Sequence, residues 1–216
     1  MVTKAASIKG TYLFGGLGTD GAYADQIVAA LTAAGISNAC HADIWPWRFC
    51  RSLPALSTLV DASWGVLRLR SFGSTGHVDK ANFSATGPQL NLIGYSYGAL
   101  IACQLARELA GEQKVTIDHL VLIAAPVSPQ QLRWLKHETR ITHHASRITH
   151  IHILNLTERG DPIFVGIPFW RLMFAPVKLW IQFLRKSGHF IYTKSGPDGD
   201  TARRNLADEL SQRDLK

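Results

Sequence analysis

Cysteine is scarce in this chain of 216 residues: only Cys40, Cys50 and Cys103 are present, and no two have C-x-x-C spacing. That excludes a dense disulfide framework. An odd, sparse set argues for reduced thiols and a cytoplasmic setting, with one disulfide in a secreted chain as the alternative. Acidic residues are outnumbered by basic ones, 16 to 23, giving a net charge of +7. Such a balance attracts anionic lipid, nucleic acid or acidic substrates without choosing among them. No nucleic-acid motif accompanies it, so a basic, solvated surface is expected and nucleic acid is not an expected partner. The start of the chain, Met1 to Ser7, lacks an apolar h-region with a cleavage site, so no signal peptide is expected. A membrane-length apolar run is missing too. The most aromatic stretch, Val165 to Leu184, is interrupted by Pro168, Arg171, Pro176 and Lys178.

What is present suits one α/β domain over residues 1–216. The hydrophobic fraction of 46% and the charged fraction of 18% exclude a disordered chain. Apolar strands are expected at Ile8–Phe14, Asn38–Ile44, Gln89–Ile93, Ile117–Ala124 and Ile151–Leu156. Helical patterns fall at Ala22–Ala34, Leu53–Leu69, Ala99–Ala110 and Thr201–Ser211. Strands alternating with helices predict a mostly parallel central sheet covered on both faces, with function gathered at the carboxyl ends of the strands.

One stretch organises the rest. Leu90 to Ile93 runs into Gly94-Tyr95-Ser96-Tyr97-Gly98 and then a helix-forming sequence. This is the pattern of a nucleophile elbow, with serine at the apex of a strand-to-helix turn and glycines where side chains would collide. A plain Gly-Ser connection is the bland alternative. Two later strand ends carry matching chemistry: Asp161 in Gly160-Asp161-Pro162 and His189 in Gly188-His189-Phe190. A serine hydroxyl needs a histidine to take its proton, and that histidine needs a carboxylate to fix its tautomer. Asp161 has a competing reading as a turn residue, Glu158 competes for the acid role, and His189 is one of nine histidines.

With serine, aspartate and histidine in this order, the chain resembles the α/β-hydrolase superfamily as a compact, esterase-like member with little or no lid. The resemblance implies that Ser96 attacks, His189 acts as general base and acid, and Asp161 orients His189. It also places the oxyanion on the backbone N–H groups of Leu17 and Tyr97, although Gly15 stands where the family usually has histidine. Gly16, Tyr95 and Phe164 are the expected substrate-contacting residues. The implied reaction is hydrolysis of a small-molecule carboxylic ester or thioester, with no cofactor and no metal.

Other readings compete. Gly16-Leu17-Gly18-Thr19-Asp20-Gly21 satisfies G-x-G-x-x-G between a strand and a helix, with Asp43 at the end of the next strand, as in dinucleotide-binding folds. A non-catalytic binding protein of hydrolase-like fold is a third reading. The histidine-rich stretch Thr139 to His152 places His150 and His152 on one strand face, a geometry that suits zinc, but exposed polar residues leading into a strand are the preferred reading. Val165 to Leu184 is read as core, including a last strand at Val177–Phe183. An apolar wall for an acyl chain, or a surface that touches anionic lipid with help from Arg185 and Lys186, is the alternative. About 25 residues between Ala125 and His150 leave room for one or two helices but no large cap.

Overall fold

A computed structural model describes residues 10–16, 21–42, 89–111, 116–140, 148–166 and 187–215. The described elements begin with strand β1 (Gly10–Phe14), helix α1 (Gly21–Ala33) and strand β2 (Ala39–His41). Next come β3 (Gln89–Tyr95), α2 (Tyr97–Gly111), β4 (Thr116–Ile123), α3 (Pro129–Arg140) and β5 (Ile148–Leu154). Two short 3-10 turns, Thr157–Arg159 and Gly188–Thr193, precede α4 (Pro197–Gln212). The expected helix Leu53–Leu69 and the expected strand Val177–Phe183 lie outside the described residues, as does nearly all of Val165 to Leu184.

The five strands form a parallel sheet in the order β2-β1-β3-β4-β5. Parallel neighbours require crossovers, which place helices against the faces, so the strands are apolar on both sides. Period-two alternation sorts the side chains. Leu90, Leu92, Leu120 and Leu122 pack on the α2 side, while Ile93, Tyr95, Val121 and Ile123 pack on the side that holds α1 and α4. Each fully buried leucine or isoleucine contributes about 1.5–3 kcal/mol over its exposed state. Between β1 and β3 the buried Asn91 amide donates to the Thr11 hydroxyl at 3.0 Å, so this polar pair is satisfied inside the sheet.

The strand order reverses between β1 and β3, with β2 on one side and β4 on the other. A crevice opens at the carboxyl ends of strands at such a switch point. The loop Gly15-Gly16 leaves β1 there, and Ser96 leaves β3 there.

Two boundaries differ from expectation for physical reasons. Strand β5 starts at Ile148 rather than Ile151, because His150 pairs with His119 of β4 and the histidine rings stack across the strands. The last helix starts at Pro197 rather than Thr201. Proline occupies its first turn beside Asp198 and Asp200, whose charges suit a helix N-terminus. Between Ala125 and His150 the described residues contain one helix, α3. No helix among the described residues is long and apolar enough to cross a membrane.

Candidate active site

The turn from β3 to α2 is tight because its two glycines have no room for side chains. A Cβ at Gly94 would lie 2.7 Å from both the Ala99 nitrogen and the Gly98 carbonyl oxygen. A Cβ at Gly98 would fall on the carbonyls of Phe14 and Gly15. Between them Ser96 takes φ = 55°, in the left-handed region that L side chains rarely adopt. The strain, of order 1–3 kcal/mol, is held by neighbours. The Ser96 N–H donates to Ile123 O at 2.9 Å, and the Ser96 carbonyl accepts from Ala99 N–H at 3.0 Å.

His189 reaches Ser96 from 93 residues further along the chain: its Nε2 lies 2.8 Å from Ser96 Oγ. On the other side of the ring, Nδ1 lies 2.7 Å from Asp161 Oδ2. A carboxylate only accepts, so Nδ1 carries the proton, and Nε2 of the neutral ring accepts from the serine hydroxyl. Ser187 Oγ accepts the His189 N–H at 3.2 Å and caps the turn that carries the histidine. Asp161 is buried. Its Oδ1 accepts the Ile163 N–H at 2.9 Å, so it is a turn residue and the histidine's partner at once. Glu158, the competing acid, is exposed in the turn before it.

The glycine loop after β1 abuts the serine. A Cβ at Gly16 would lie 3.1 Å from Ser96 Cβ. The Gly16 N–H donates to the phenolic oxygen of Tyr23 at 2.6 Å. Leu17 itself lies outside the described residues, as do Gly18 and Asp43 of the dinucleotide-type pattern. Tyr97 is the first residue of α2, half-buried, with its phenol pushed up in pKa by burial. First-turn amides of a helix have no intrahelical acceptor and form the positive end of its dipole.

The expected substrate contacts are not equivalent. Gly16 flanks the serine. Phe164 is half-buried three residues after Asp161. Tyr95 is 1% exposed, and its ring lies under the His189 imidazole, 5.6 Å between centroids and 24° between planes. Its surroundings are core, because Tyr95 shares the sheet face of Ile93. Tyr23, which the sequence did not single out, meets Tyr95 edge-on at 6.1 Å. Phe190 stands edge-on to the imidazole at 5.1 Å.

Residues 82–164 match the family model of the thioesterase domain, a member of the α/β-hydrolase superfamily. The resemblance is to the α/β-hydrolases. The match spans Ser96 and Asp161, while His189 of this hydrolase-like chain comes from beyond it. Sheet and match agree with a parallel α/β fold and support an ester or thioester hydrolase. No curated protein sequence matches the chain.

On the neighbouring strands β4 and β5, His119, His150 and His152 stack, with centroids 4.9–6.2 Å apart. His119 Nδ1 and His152 Nε2 lie 2.9 Å apart and share a hydrogen bond. Among the described residues no group of three or more histidine, cysteine or acidic side chains is arranged to hold a metal ion.

Proposed function

We propose that this chain is a serine hydrolase of small-molecule carboxylic esters or thioesters. The observation that carries the reading is the chain of contacts from Ser96 Oγ through His189 to Asp161, built from three segments distant in sequence. Ser96 Oγ attacks the acyl carbon as its proton passes to His189 Nε2. Asp161 holds Nδ1–H and stabilises the imidazolium. The carbonyl oxygen, now negative, rests on the amides of Leu17 and Tyr97. One such donor contributes about 3–4 kcal/mol in the transition state. His189 returns the proton to the departing alcohol or thiol, leaving an acyl-Ser96 ester. Water, deprotonated by His189, then releases the acid and restores the serine. No cofactor enters these steps.

The thioesterase match favours thioesters within this class. A matched series of p-nitrophenyl esters and acyl thioesters, varied in chain length, tests the reading on the wild type and Ser96→Ala. The expected result is wild-type turnover, with the best rate on one acyl length, and loss of turnover in the variant. Equal activity in the two proteins removes Ser96 as the nucleophile.

A further inference from the structure

Tyr95 stands directly before the serine in sequence, yet its side chain lies on the histidine. Its hydroxyl donates to the backbone carbonyl of His189, and its ring is stacked under the His189 imidazole. The phenol is buried, so it requires a partner, and the His189 carbonyl supplies one. Two further tyrosines hold the ring from its edges: Tyr23 at 6.1 Å and 64°, and Tyr192 at 5.8 Å and 83°. Tyr23 in turn accepts the Gly16 N–H at 2.6 Å, next to Ser96. These contacts join the three parts that must stay in register. Serine and Tyr95 are covalent neighbours, the histidine is gripped through its main chain and its ring, and the glycine loop is tied through Tyr23.

We propose that Tyr95 is a positioning residue that sets the His189 imidazole against Ser96, acting through the histidine backbone rather than on the substrate. The inference rests on the serine-hydrolase reading above. Ser96 and His189 are 93 residues apart, so their 2.8 Å contact depends on what fixes the histidine turn. A misplacement of about 1 Å in such a pair costs on the order of a hundredfold in rate. Burial, then the nearby charges of Tyr23, Asp161 and Tyr192, hold the Tyr95 phenol well above its ordinary pKa, so it remains a donor across the working pH range.

The test is the rate at which a fluorophosphonate labels Ser96 in the wild type, Tyr95→Phe and Tyr192→Phe, with folding checked by circular dichroism and thermal melts. Tyr95→Phe keeps the ring and removes only the hydroxyl. It is expected to label about tenfold more slowly or worse, with kcat on an ester reduced and KM within about twofold. Tyr192→Phe keeps the ring edge against Tyr95 and removes only a hydroxyl that makes no contact with His189 among the described residues, so it is expected to label at the wild-type rate even where it melts lower. Proton NMR of the wild type supplies a readout that survives an unstable variant. A slowly exchanging Tyr95 hydroxyl proton with a nuclear Overhauser contact to the His189 segment is expected. Wild-type labelling by Tyr95→Phe, or a rapidly exchanging Tyr95 hydroxyl, overturns the proposal while leaving the serine-hydrolase reading intact. Failure of the wild type to label at Ser96 overturns that reading itself.

Discussion

Asp161 Oδ2 lies 2.7 Å from His189 Nδ1, and both side chains are withdrawn from solvent. In that setting the carboxylate fixes which nitrogen carries the proton. Asp161→Asn preserves the shape but offers an amide in place of an obligate acceptor. Its ester kcat is expected to fall on the order of 10³–10⁴-fold with little change in melting temperature. A steady-state assay beside a thermal melt checks this, and a fall of less than tenfold removes the orienting role.

The two kinds of glycine in and beside the site separate clash from backbone strain. Gly98→Ala drives a methyl into the backbone of Phe14 and Gly15, which has no rotamer by which to yield. It is expected to cost more than about 3 kcal/mol in urea unfolding. Gly160 has φ = 74° and open space where a Cβ would go, so Gly160→Ala is expected to cost only about 1–2 kcal/mol.

The histidine stack predicts a pH dependence of stability. His152 is lowered from 6.5 to about 4, first by burial, then by the charges of His119, Arg213 and His150. The folded state therefore resists protonation that the unfolded chain accepts. Its contribution is complete above about pH 6.5 and is lost as the pH falls towards 4. Urea unfolding between pH 7 and 4 is expected to show this decline, and His152→Gln is expected to flatten it. An unchanged slope in the variant assigns the acid sensitivity elsewhere.

Arg203 is a buried cation whose guanidinium donates to Tyr192 O at 2.8 Å and Lys194 O at 2.9 Å, with Asp200 Oδ1 at 2.5 Å. It ties α4 to the turn that carries His189. Arg203→Met leaves those carbonyls without their donor and is expected to cost about 2–4 kcal/mol. Chemical denaturation measures the loss, and a change below about 1 kcal/mol counts against a structural tie.

Much of this was readable in sequence where the physics is local. The apolar run, the two glycines and the helix-forming residues around Ser96 are contiguous, so β3, the elbow and α2 follow from spacing alone. Asp161 was legible through the strand that precedes it, and His189 through its place in the order serine, aspartate, histidine. Their contact is a tertiary fact that no local pattern contains. Tyr95 was harder: the motif suggests a pocket residue, whereas its alternation with Ile93 turns it into the core beneath the histidine. Tyr23 gave no local signal, because its role lies in a hydrogen bond to Gly16 from the next helix. The start of β5 was hidden by Thr149 and His150, polar residues held in the sheet by a histidine on the neighbouring strand.

The central claim is that Ser96 is the nucleophile, and covalent trapping tests it most directly. Native protein treated with a fluorophosphonate and mapped by peptide mass spectrometry is expected to carry one adduct, on Ser96, with activity lost in proportion. An adduct on another residue, or full activity after complete modification of Ser96, would contradict the account.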